Sequence, residues 1–226
     1  MCFSAPSGKG RREVAGAGGI AIPLILTVLL KLAASVMAAV MAGVMAGITP
    51  ASAHVGGDVA QGFVGGFLHP LTGPDHVAAM VAVGLWGAVL GPPALWLLPV
   101  AFPLVMALGG VLGIVGVPMP RVEIGIAVSA IVLGLMVAFA VRAPLMVAVA
   151  IVAVFAIFHG YAHGAELPPG ADAIAFSAGF VIATGLLHLA GIGLGAASGG
   201  PQGRPAVRLA GVAITLAGVI FLAAAL

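Results

Sequence analysis

Ionisable side chains are scarce in this sequence, with eight Lys or Arg and six Asp or Glu among 226 residues. A soluble domain carries about 25% charged residues, and so few charges cannot solvate the surface of a globule. Disorder is excluded as well, because it requires low hydrophobicity and high net charge. There is one cysteine, Cys2, which rules out a disulfide framework and a thiolate-based zinc site. Alternating apolar and polar strands of about ten residues are missing, so a transmembrane β-barrel is excluded. The formal net charge is only +2 despite a sequence pI of 9.2, which gives no footprint for nucleic acid.

What the sequence does contain is apolar: 62% of its residues are hydrophobic and the mean hydropathy is +1.30. Glycine (35) and proline (16) are abundant, a load tolerated where helices pack closely in lipid. These features predict an all-α, polytopic membrane helix bundle whose main partner is the lipid bilayer.

The N-terminus has the pattern of a leader. Lys9, Arg11 and Arg12 precede apolar stretches 20–30 and 32–48, separated by Lys31, and Ala51-Ser52-Ala53 is a small-x-small processing pattern. Residues 1–53 are therefore expected to be a cleaved signal peptide, and 54–226 a single transmembrane domain. The alternative is an uncleaved membrane helix over 20–48. Cleavage would place His54 at the mature N-terminus, where its imidazole and the free α-amine form a chelate suited to a divalent metal.

After the leader, the apolar runs are 58–90, 94–116, 122–141, 144–164, 173–197 and 208–226. The last five are each long enough to cross about 30 Å of hydrocarbon. The first is interrupted by His69-Pro70-Leu71-Thr72-Gly73-Pro74, and its leading half is too short to span alone. We read it as one span broken at His69–Pro74, or as a short re-entrant segment followed by a span, which in either case gives about six transmembrane helices. With His54 outside, Arg142, Arg204 and Arg208 then fall on the inner side and only Arg121 outside, in agreement with the accumulation of Lys and Arg in cytoplasmic loops. Seven crossings would reverse that distribution. The expected location is a bacterial inner membrane, with a periplasmic mature N-terminus.

Ionisable groups inside a bilayer are costly and mark functional sites. Here they form two clusters. The first holds His69, Asp75 and His76, followed by Met80; its two prolines and glycine are expected to prevent continuous helix across 70–74 and to aim three ligand-type side chains at one place. In the second, His159, His163 and Glu166 share one helical face, and paired imidazoles one turn apart are a common platform for a divalent ion. Gly160 and Gly164 lie one step round the same helix, a seam predicted to admit a neighbouring helix and to bring the two clusters together. Tyr161 lies off the histidine face. His188 stands alone in its span, either as a packing residue or on an exit path.

These residues resemble the HupE/UreJ family of nickel and cobalt permeases, associated with hydrogenase and urease maturation. The resemblance rests on His69-Pro70-x-x-Gly73-x-Asp75-His76 with Ala79-Met80, and on Phe158-His159-Gly160-x-Ala162-His163-Gly164-x-Glu166. It extends to the leader, the Ala53-His54 junction and the Gly62-Phe63 segment. The family implies that His69, Asp75, His76, His159, His163 and Glu166 serve metal uptake. Val55-Gly56-Gly57 lacks a further histidine found in some relatives.

Imidazoles and carboxylates without thiolates suit Ni²⁺, Co²⁺ and Zn²⁺, although affinity alone favours Cu²⁺. The expected function is a secondary permease with no permanently bound cofactor, whose cargo is Ni²⁺ or Co²⁺. In this scheme His54, Asp58 and Glu166 form an outer vestibule. A midplane site of His69, Asp75, His76, His159 and His163, with Met80, follows, and exit runs past His188. Membrane potential or proton exchange would drive transport, since no nucleotide-binding loop is present. Homo-oligomerisation is left open. The main alternative is a zinc-dependent intramembrane hydrolase, against which stands the lack of a Glu directly after His159. A haem-ligating electron carrier would need axial histidine pairs about two turns apart in depth, not Asp75 beside His76.

Overall fold

The computed structural model describes residues 62–167, 170–198, 200 and 203–226. The leader, its processing junction, His54 and Asp58 lie outside the described residues. Within them the chain is all helical: α1 (Phe63–Thr72), α2 (Pro74–Leu90), α3 (Ala94–Ile114), α4 (Val122–Ala138), α5 (Leu145–Ala165), α6 (Ala173–Ala197) and α7 (Arg204–Ala225).

The break in the first unit is sharper than expected. Helix continues through Pro70 to Thr72, and a bend of 81° between α1 and α2 falls on Gly73 alone. Pro70 removes one N–H from the helical ladder, a loss that α1 absorbs. Thr72 Oγ1 donates to the carbonyls of Leu68 and His69 at 3.1 Å, closing the last turn. Gly73 precedes Pro74, whose ring disfavours helical backbone in the residue before it, and Gly73 is accordingly extended (φ −83°, ψ 105°). Pro74 then opens α2 at a position where an N–H is not needed.

Helix α2 is the axis of the bundle. Every residue from His76 to Gly87 is buried, with α6, α4, α3, α7 and α1 packed around it. The remaining large contacts are α3 on α5, α4 on α7 and α1 on α6. Glycine explains how these pairs approach so closely. On α2 and α6, Gly84 faces the His188 carbonyl while Gly191 faces that of Val81, leaving no room for a Cβ on either. On α3 and α5, Gly160 and Gly164 press on the backbone of Met106 and Gly110. The predicted Gly160/Gly164 seam is therefore real, but its partner is α3. The two histidine clusters meet elsewhere, where the start of α2 reaches the end of α5.

Four helices, α3, α5, α6 and α7, are long and apolar enough to cross a membrane, and the bent pair α1–α2 can supply a fifth crossing. Helix α4 is apolar but has 17 residues, or about 25 Å, at the lower limit for a span. The run read as 122–141 stops as helix at Ala138, and α7 starts four residues before the apolar run at 208.

Steric exclusion at the α2–α6 contact predicts that Gly84→Ala lowers the thermal midpoint of the detergent-solubilised protein by several degrees, reflecting an overpacking cost of about 1–3 kcal/mol. Gly185, with open space around its Cα, is the control: Gly185→Ala should leave the midpoint unchanged in the same fluorescence melt.

Candidate metal centre

The centre begins with a local contact. Asp75, in the first turn of α2, accepts hydrogen bonds at one oxygen, Oδ1, from the His76 backbone N–H and from His76 Nδ1, both at 2.9 Å. Because Nδ1–H is held by a carboxylate, the lone pair of His76 lies on Nε2. That atom is buried without a hydrogen-bond partner. A carboxylate fixing the far nitrogen of an imidazole is the arrangement that orients metal-ligating histidines and raises their basicity.

His159 is set in the same way by a different partner. Ser129 Oγ donates its single proton to the Ile126 carbonyl at 2.6 Å and lies 2.9 Å from His159 Nε2. With its proton committed, the hydroxyl can only accept, so Nε2 carries the hydrogen and Nδ1 the lone pair. His159 Nδ1 is likewise buried and unpartnered. The His76 and His159 rings are 4.8 Å apart, edge to face.

Toward the mouth, the His163 ring lies 4.5 Å from that of His76 and 4.7 Å from that of His69. The bend at Gly73 makes this possible by folding α1 back so that His69 and His76 come within 6.1 Å. Donor atoms of His69, His163 and Glu166 all lie within 4.8 Å of one another. A tetrahedral ion with bonds of about 2.1 Å would hold its ligand atoms about 3.4 Å apart, so small side-chain rotations suffice to close this trio. Phe180 stacks obliquely on His163 at 4.2 Å and lies 6.2 Å from His69, walling the site on the α6 side.

A cavity of about 350 Å³ opens beside these rings, lined by His69, Asp75 and His76 together with Glu123, Tyr161 and Glu166. Three carboxylates in one mouth concentrate cations there. Partial burial raises the Glu166 carboxyl above the ordinary range. The nearby His76 imidazole opposes that shift, and the Glu123 and Asp75 carboxylates add to it.

The structure thus brings His69, Asp75, His76, His159, His163 and Glu166 into one place, with one difference from the sequence expectation. Glu166 joins the cluster itself instead of standing in a separate vestibule. The cluster lies toward the end of α5, with His163 and His159 two and six residues before its last residue, within about 9 Å of it. Met80 is fully buried in the apolar core one turn beyond His76. His188 is separate and deeper and 1% exposed, with the Pro99 backbone beside its ring. The Phe102 ring stands between the two, 5.6 Å from His159 and 5.5 Å from His188. Thr184, one turn before His188 on α6, is buried with its hydroxyl unpartnered.

Sequence reasoning passed over Glu123, Ser129 and Phe102. Glu123 was visible as one of few acids, and Ser129 as a hydroxyl within an apolar run. Phe102 carried no signal among the other apolar residues of α3.

The fold and this centre together define a polytopic membrane protein with a buried imidazole and carboxylate cluster at one end of its bundle. The chain belongs to the HupE/UreJ family: the family described as HupE / UreJ protein matches residues 40–221. It is similar to Protein HupE of Rhizobium leguminosarum bv. viciae, at 49% identity over 172 residues, covering 76% of this chain and 90% of the relative. No solved structure matches the chain.

If Ser129 fixes the His159 tautomer, Ser129→Ala should weaken Co²⁺ or Ni²⁺ binding by about 10- to 100-fold, the usual cost of losing an outer partner of a metal-ligating histidine. Titration calorimetry on the purified protein would measure it, and Ser129→Thr, which keeps the hydroxyl, should restore most of the affinity.

Proposed function

We propose that this protein is a secondary permease for uptake of divalent transition-metal ions, Ni²⁺ or Co²⁺, across a bacterial inner membrane. The observation that carries the proposal is the pair of fixed tautomers. His76 Nε2 and His159 Nδ1 are buried lone pairs held by Asp75 and Ser129, next to the His69, His163 and Glu166 trio. Buried imidazole nitrogens require a partner, and a divalent ion can supply one. Family membership points the same way.

In this scheme the acidic mouth faces the periplasm and collects the cation at Glu166, Glu123 and Asp75. The ion binds first at His69, His163 and Glu166. It then shifts to His76 and His159, and leaves past Phe102, Thr184 and His188. Six crossings, with α1–α2 as one broken span and α4 as a short one, place Arg142, Arg204 and Arg208 in the cytoplasm and agree with the positive-inside rule. Cleavage before His54 would leave an imidazole and a free α-amine, a chelating pair, at the mature terminus. Histidines must be proton-free to bind metal, so proton exchange or membrane potential can drive release. Nickel or cobalt delivered this way would serve hydrogenase or urease maturation.

For hydrolysis, a zinc-protease helix would place a glutamate directly after His159. That position is Gly160, pressed against the α3 backbone where no side chain fits.

Cells starved of metal and expressing the protein should accumulate radioactive nickel or cobalt above the empty-vector level, and His76→Ala should reduce uptake at least about tenfold, because a lost ligand removes more than 1.4 kcal/mol of binding. Accumulation of neither ion by the wild type would refute the permease. His188→Ala tests the route separately: cation binding by the purified protein should persist while uptake falls.

A further inference from the structure

The opposite end of the bundle carries a second site, with chemistry contrary to the first. Where α2 and α6 end and α5 and α7 begin, a cavity of about 340 Å³ lies between the helices. Three arginines line it: Arg142 from the α4–α5 connection, and Arg204 and Arg208 from the first two turns of α7. They are three of the four arginines that follow the leader. Ser198 closes one side, and the small residues Ala88 and Gly195 keep the space open. A Cβ on Gly195 would strike Ala88.

Among the described residues no acid lies near this charge. Asp75, Glu123, Glu166 and Asp172 all sit at the histidine end, at or beside the starts of α2, α4 and α6 and the end of α5. The connections at the arginine end, 91–93, 139–144 and 199–203, contain no acid. The only ion pair among the described residues is Asp75 with His76. Arg204 and Arg208 are one helical turn apart, a spacing at which like charges repel, and Arg142 adds a third positive charge to the same cavity. The three arginines are exposed, and three guanidinium groups at the rim of one small cavity make it a favourable place for an anion. Guanidinium forks pair with phosphate oxygens in a bidentate manner. The start of α7 adds the positive end of its helix dipole.

We propose that this cavity binds a phosphate group, supplied either by an anionic phospholipid headgroup or by a free phosphate. Basic pockets between helices at the cytoplasmic face of a membrane are suited to phospholipid headgroups. The exposed apolar side chains Leu209, Val212 and Leu216 run down α7 from this cavity, a surface along which acyl chains can lie. Bound phosphate would also lower the positive potential at the end of the bundle toward which a transported cation must travel, but its binding does not depend on that transport.

The test uses the full chain purified into phosphatidylcholine nanodiscs. Native mass spectrometry would follow retention of added phosphatidylglycerol, and a thermal melt would follow the response to inorganic phosphate. The wild type should retain phosphatidylglycerol over phosphatidylcholine, and Arg204→Gln/Arg208→Gln should reduce that preference at least about tenfold, the order expected when charge-assisted pairs are lost. Arg204→Lys/Arg208→Lys, which keeps the charge but not the fork, should fall between the two. Arg121→Gln, at the histidine end, should change nothing. Stabilisation of the wild type by phosphate without lipid preference, lost in the same double variant, would assign the site to free phosphate. Equal lipid retention and equal phosphate response in wild type and the glutamine variant would overturn the proposal. Metal binding measured on the same samples separates this outcome from failure of the permease assignment.

Discussion

Gly73 turns the chain through 81°, and the rest of the centre depends on that turn. In a straight helix, His69 and His76 would lie about two turns apart along the axis, roughly 10 Å. Folding α1 back against α6 brings their rings within 6.1 Å and leaves space between them for His163. The turn also exposes the first-turn N–H groups of α2 at the site, where Asp75 accepts one of them while holding His76. Backbone that departs from helix at membrane depth is tolerated only where it is buried in protein or lines a cavity, and Gly73 does line the mouth.

Packing and chemistry are coupled through glycine. Close approach of α3 to α5 requires Gly160 and Gly164, each adjacent in sequence to a ligand-type histidine. The residues that fix the helix pair therefore also fix the depth and rotation of His159 and His163. Likewise Gly84 and Gly191 lock α6 to α2 beside His188, so the deeper histidine is held on the bundle axis instead of facing lipid. Among the described residues charge is segregated along that axis, with the four acids and four of the five histidines toward one end and three arginines at the other.

The sequence showed the fold class plainly, because so little charge over so long an apolar chain leaves only a membrane bundle. It also named the six side chains that converge, because ionisable residues in apolar runs stand out individually. What it did not reveal were features set by three-dimensional contact. A single pre-proline glycine took the whole bend, while Pro70 stayed within α1, since one missing N–H costs less than breaking the helix. The glycine seam was visible from its spacing, but its partner α3 was not, because small-residue spacing says that a helix comes close and not which one. Ser129 became meaningful only when its hydroxyl was found beside His159. The three arginines lie 62 and 4 residues apart in sequence and form a cavity only once the helix ends converge.

The most direct test of the central claim is flux through the purified protein alone. Reconstituted in liposomes and given an outward-to-inward gradient of radioactive nickel or cobalt, the wild type should load the vesicles faster than protein-free liposomes, and His159→Ala should fall to the protein-free rate. Loading by the wild type that does not exceed protein-free liposomes, or that is unaffected by His159→Ala, would contradict passage of the cation through the imidazole cluster.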